Sequence, residues 1–198
     1  MTASNGRRET LARRIQRLED IEAIRALKAR YLNACDQKDP VRVRSCFADG
    51  DVPIDAEYRG VFDTADDFVS YYSGAALYDF VLDKHQAGNA EIEFDDATHA
   101  RGRWCLDYRN INTRDRTVTL MSTFYHDRYE KIQGAWKITG SRTEFKTVLV
   151  SSYAGGALTP LVAGRTEADP PLAARQRRVI RARDVPALRA AVAKKILT

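Results

Sequence analysis

Near Phe80 the hydrophobic repeat of this chain changes period, and that switch limits the folds open to it. Before it, Leu11, Ile15, Leu18, Ile21, Ile24, Leu27, Tyr31 and Leu32 recur every three or four residues, the spacing of one helix face. Arg13, Arg14, Arg17, Glu19, Arg25 and Lys28 fill much of the other face, so the segment reads as a long amphipathic helix ending near Cys35. Asp39-Pro40 opens a second, short helix, because aspartate caps well and proline is tolerated at the first helical position. That helix carries Val43 and Phe47 inward and closes at Ala48-Asp49-Gly50. An extended piece covers Val52 to Tyr58. Thr64 then caps a third helix, Ala65 to Tyr72, which Ser73-Gly74 is expected to stop.

Beyond Phe80 the period is two. Ala90, Ile92 and Phe94 alternate with Glu91, Glu93 and Asp95. Long strands follow from His99 to Ile111, Arg116 to Lys131 and Ala135 to Val148. The chain reverses at Asp95-Asp96-Ala97-Thr98, Asn112-Thr113-Arg114-Asp115 and Gln133-Gly134, which makes a bent antiparallel meander. Three helices followed by such a sheet predict an α+β cone, with a cavity between the long helix and the curved strands. This domain is assigned to 1–150. The remainder, 151–198, reads as a flexible basic extension. Ser151 to Gly164 is rich in small residues, Asp169-Pro170-Pro171 interrupts regular structure, and Asp184 caps a last helix from Val185 to Leu197. From Arg165 onward nine Lys and Arg residues face Glu167, Asp169 and Asp184. No nucleic-acid motif accompanies them, so water or a neighbouring subunit is the expected partner of this face.

Several function classes are excluded at this level. No run of eighteen apolar residues exists, which argues against a membrane span. The N-terminus has arginines but no apolar stretch after them, unlike a secretory signal. Cys35, Cys46 and Cys105 have no metal-ligand spacing and read as reduced thiols of a cytoplasmic protein. There is no P-loop, dinucleotide-binding glycine motif, GxSxG or HExxH, and the three histidines are scattered. Nothing demands a metal or a cofactor.

Among candidate site residues His85 is the most informative, because an imidazole can take and return a proton near neutral pH. It needs a carboxylate to fix its tautomer, and Asp36, just past the first helix, is the candidate. Each residue alone also fits a plain surface or helix-end role. Tyr31 lies on the apolar stripe, five residues before Asp36. The two side chains converge only if the helix ends between them. Tyr31 is either core packing or a phenol aimed at a substrate oxygen. Arg142 shares strand parity with Trp136 and Ile138, so an unbroken strand points it inward. A bulge, or an ion pair with Glu144 or Asp107, would give it a structural role instead. His126 and His99 are not assigned a catalytic role.

Taken together, these residues resemble the SnoaL-like family of the nuclear transport factor 2-like superfamily. The likeness rests on Tyr31-Leu32-Asn33-Ala34-Cys35-Asp36 at the end of helix one and on Cys46-Phe47-Ala48-Asp49 closing helix two. It extends to His85 ahead of Asn89, and to Trp136-Lys137-Ile138 leading to Arg142. It covers about residues 10–150 and is nearest to the family's dehydratases and dehydrochlorinases. The resemblance implies an Asp36–His85 pair that abstracts a proton, with Tyr31 and Arg142 in support. It also implies no cofactor and a homo-oligomer, usually a trimer. The function it suggests is a lyase, a dehydratase acting on a hydrophobic hydroxylated carbonyl compound such as a steroid, polyketide or terpenoid. An isomerase using the same pair and a non-catalytic small-molecule-binding domain are the alternatives. Ile54, Tyr58, Phe80, Leu106, Tyr108, Met121 and Tyr125 are the candidate substrate-binding residues, and the same alternation would equally serve a core.

Overall fold

The computed structural model describes residues 10–164 and 179–180. Helix α1 runs from Leu11 to Asp36, without a break, after a Thr10 cap. It closes at Lys38, which adopts a left-handed backbone conformation, while Asp39 N–H bonds the Ala34 carbonyl at 3.0 Å. Asp39 at once caps α2 (Pro40–Ser45), accepting from Arg42 N–H. Strands β1 (Asp51–Asp55) and β2 (Val61–Thr64) flank a single 3-10 turn, Glu57–Arg59. Thr64 caps α3, which extends to Ala76. The helix runs through the expected stop at Ser73-Gly74, where the Ser73 hydroxyl bonds the Val69 carbonyl one turn back.

Four long strands follow, β3 (Val81–Phe94), β4 (His99–Asn112), β5 (Thr117–Ile132) and β6 (Ala135–Ser152). With β7 (Thr159–Gly164) and β8 (Val179–Ile180) they form one sheet of order β3-β4-β5-β6-β1-β2-β8, with β7 also on β6. Among the named strands of the described residues, β1 on β6 and β8 on β2 are the parallel pairs. The helices pack on the concave face, giving the α+β cone. The division expected at residue 150 falls inside β6. Part of the stretch read as flexible is β7, which pairs with β6 from Val148↔Gly164 to Ser152↔Thr159. The expected helix from Val185 to Leu197 lies outside the described residues.

Packing explains the orientation of α1. Ile24, Leu27, Tyr31 and Leu32 join one core cluster with Trp104, Leu106, Tyr125, Tyr129 and Ile138 from the sheet. Each large apolar side chain so buried is worth about 1.5–3 kcal/mol. A surface ion pair is worth about 0–1 kcal/mol, so this stripe sets the helix position. The first turns of the same stripe behave differently, since Leu11, Ile15 and Leu18 remain exposed. Asp20 fastens this half of the helix, accepting from Trp136 Nε1 at 2.8 Å and Lys131 Nζ at 2.7 Å. Among the described residues no helix is long and apolar enough to cross a membrane.

Candidate active site

Asp36 is the last residue of α1, and its carboxylate reaches β3 rather than the helix's own previous turn. Its Oδ1 lies 2.7 Å from His85 Nδ1 and 2.9 Å from the His85 backbone N–H, and Lys84 Nζ is 3.1 Å from Oδ2. Burial pushes the Asp36 carboxyl upward. The His85 ring and Lys84 outweigh that and hold it below its ordinary value, so it is ionised at neutral pH. An ionised carboxylate only accepts, so Nδ1 carries the proton and Nε2 of the neutral ring is left as the basic nitrogen. Among the described residues nothing bonds Nε2, and His85 lines a cavity of about 290 Å³. Asp36 is outside that lining.

Cavity walls come from α1, α3, the turn before β2 and the concave strands. Tyr31, Ile54, Tyr108 and Tyr125 line it, as do Phe47, Phe68, Tyr72 and Val81. Because α1 is unbroken, Tyr31 and Asp36 do not converge. Tyr31 faces the cavity and meets Phe47 edge-on at 5.5 Å between ring centroids. Burial raises the phenols of Tyr31, Tyr72, Tyr108 and Tyr125, which therefore remain proton donors at neutral pH. Burial likewise pushes the Cys35 thiol to about 12, which makes it an unreactive wall group.

Other expectations are corrected. Arg142 points away from the cavity, with its side chain about half exposed and 3.9 Å from Glu144. The cause is a bulge: Ile138 pairs with Tyr129 and Gly140 with Arg128, leaving Thr139 unpaired. Inward parity passes to Ser141, Thr143 and Phe145, and the Arg142 side chain turns outward. Tyr58 packs on Phe145, and Phe80 stacks on Tyr78 beneath Arg114. Leu106 and Met121 are buried core. None of these four lines the cavity.

The sequence reading missed four charged residues of the wall, Lys28, Arg59, Asp83 and Asp127. The sequence pattern puts Lys28 on the polar face of α1, yet it is buried and bonds Asp127 at 2.7 Å. Its spacing from Ile24 and Tyr31 could have signalled this. Asp127 also accepts from Tyr129 at 2.8 Å and Ser141 at 2.7 Å, and shares parity with Tyr125 and Tyr129. Burial lowers the Lys28 pKa, partly offset by Asp127. Asp83 accepts from Tyr108 and Asn110. Arg59 sits on a non-periodic turn, where no pattern points to it. Among the described residues no group of three His, Cys, Asp or Glu side chains is placed to hold a metal ion.

A curved sheet closed by a long helix, with a cavity between them, defines a class of small α+β cone domains. The SnoaL-like domain family matches residues 16–142, and the chain belongs to that family. Solved structures agree on the fold. A hexachlorocyclohexane dehydrochlorinase from Novosphingobium barchaimii superposes with a TM-score of 0.59 at 19% identity, covering 75% of this chain and 94% of that one. A proposed scytalone dehydratase from Novosphingobium aromaticivorans gives 0.62 at 19% identity, covering 76% and 98%. A Mycobacterium tuberculosis protein of unknown function gives 0.58 at 22% identity, covering 90% and 96%.

Proposed function

We propose that this protein is a lyase that eliminates water from a compact, hydrophobic β-hydroxy carbonyl compound, without a cofactor. The carrying observation is the 2.7 Å bond between Asp36 and His85 Nδ1, which leaves Nε2 without a bond among the described residues on a side chain that lines the cavity. In this mechanism Nε2 removes the proton next to the carbonyl and the electron pair passes to the carbonyl oxygen. Tyr31, a permanent donor, bonds the resulting enolate. Collapse of the enolate forms the carbon–carbon double bond and expels the hydroxyl group. That group leaves as water with the proton held on His85, restoring the starting state. Asp36 stabilises the transient imidazolium. A cavity of about 290 Å³ suits a compact substrate better than an extended one. Elimination also accords with the names of the dehydrochlorinase and the proposed dehydratase that share the fold. A homo-oligomer, with a trimer favoured, belongs to the same reading, and light scattering on the purified chain checks it.

The test follows new ultraviolet absorbance from a panel of hydroxylated ketones, comparing wild type with His85→Ala and Asp36→Asn. The expected result is conjugation with loss of water in wild type, sharply reduced in both variants. Turnover unchanged in both would sink the assignment. A moved double bond without loss of water would instead mark an isomerase.

A further inference from the structure

The turn before β2 puts a guanidinium into the cavity that the pair chemistry does not use. Arg59 closes the 3-10 turn Glu57–Arg59, and Gly60 follows with φ 129°. Ala56 N–H bonds the Gly60 carbonyl, Arg59 N–H the Ala56 carbonyl, and Gly60 N–H the Glu57 carbonyl. Asp55 adds a bond to Glu57 N–H at 2.9 Å. The turn is thus tied at both ends, and the Arg59 side chain lines the cavity.

Its surroundings are aromatic. Cζ is 5.8 Å from the Tyr58 ring, 5.8 Å from Tyr108 and 5.2 Å from Phe145. These contacts surround the group with rings but use none of its five N–H donors. Among the described residues no carboxylate lies within ion-pair distance of Arg59 and no acceptor bonds its side chain. The two carboxylates on the same wall are already engaged, Asp127 by Lys28, Tyr129 and Ser141, and Asp83 by Tyr108 and Asn110. An arginine that is always charged and, among the described residues, has no anionic partner leaves its fork to a ligand.

We propose that Arg59 selects substrates that carry a carboxylate, pairing with it while the reacting carbon faces His85. The inference rests on the elimination reading for the second half of that statement and on Arg59 alone for the first. Tyr108 relates the two ends. Its ring is 4.8 Å from the His85 ring and 5.8 Å from Arg59 Cζ, so one small molecule lying along it can touch both. The substrate class is then a compact keto acid with a hydroxyl group β to the ketone. The ketone acidifies the C–H, and the carboxylate anchors and orients.

Binding tests this apart from turnover. Titration calorimetry would measure benzoylpropionate, naphthoate and cyclohexanecarboxylate, each against its primary amide, on wild type, Arg59→Gln, Arg59→Lys and His85→Ala. None of these ligands has a leaving group. Wild type and His85→Ala should prefer the acids by about tenfold to a hundredfold, the worth of a charge-assisted pair. Arg59→Gln should bind acid and amide alike, and Arg59→Lys should keep part of the preference. Equal binding of acids and amides by wild type, or binding of neither, overturns the proposal, as does a preference that Arg59→Gln retains. Acid preference without His85-dependent dehydration of benzoyllactate would keep the anion site and reject the lyase reading.

Discussion

Two histidines in this protein make the same bond on opposite faces of the sheet. His85 Nδ1 is 2.7 Å from Asp36, and His126 Nε2 is 2.7 Å from Glu144. The lengths are identical and the settings are not. His85 stands at a cavity wall with its side chain 13% exposed, and its bond to Asp36 leaves Nε2 open. His126 is on the outer face, 32% exposed, and it spends Nε2 on a carboxylate that also serves Lys146 and lies near Arg142. A short bond therefore does not define a site. The medium and the nitrogen left over do, because charge interactions strengthen where water is excluded.

The hardest way to break this comparison is to remove both rings in turn. His85→Ala should lower turnover of a β-hydroxy ketone by about 10²–10⁴-fold, the usual worth of a positioned general base. His126→Ala should stay within about twofold, since it touches neither cavity nor substrate in this mechanism. Equal losses in the two variants, measured as kcat/KM, would end the distinction. A second contrast lies inside the cavity. Lys28→Met strands the Asp127 charge where both side chains are 1% or less exposed, and should cost about 3–5 kcal/mol in denaturant unfolding. Adding Asp127→Leu should recover part of that loss, because the cost comes from the unpaired charge.

Legibility followed periodicity. The stripe from Ile24 to Leu32 and the even-numbered inward residues of β4 were readable because they obey one repeat over a long segment. Arg142 was misread because parity survives only until a bulge, and nothing local marks Thr139 as the extra residue. Gly140 is a partial clue in hindsight. A Cβ there would lie 2.6 Å from Arg128 Nη2, so a side chain at this position would have to displace the end of Arg128. Arg59 was invisible for another reason, since a three-residue turn has no period from which to infer an inward face. Asp36 and His85, 49 residues apart, meet only through the packing of α1 on β3, and family resemblance rather than spacing brought them forward.

A smaller effect sharpens the role of the cavity phenols. Tyr31→Phe should reduce kcat by about tenfold to a hundredfold with little change in stability, the worth of one hydrogen bond to the charged enolate. A change confined to KM would move Tyr31 from the reacting oxygen to ground-state binding.

The smallest predicted effect compares the two carboxylates themselves. Lys146 and His126 hold Glu144 down at about 2, and the bonds from His85 and Lys84 keep Asp36 below its ordinary value despite burial. Both folded-state values lie below those of the unfolded chain, so unfolding takes up protons as the medium becomes acidic. The stabilisation is therefore complete above about pH 5 and is lost as pH falls through the depressed values. Salt should separate them. The partners of Glu144 are partly exposed and screened, whereas the Asp36–His85 bond is largely shielded. Denaturant unfolding from about pH 6 to about pH 2 should show Glu144→Gln flattening the acid limb only at low ionic strength. Asp36→Asn should flatten it at low and high salt alike. If high salt erases the Asp36 contribution too, the inner pair is as wet as the outer one, and the shielding that sets His85 apart from His126 is absent.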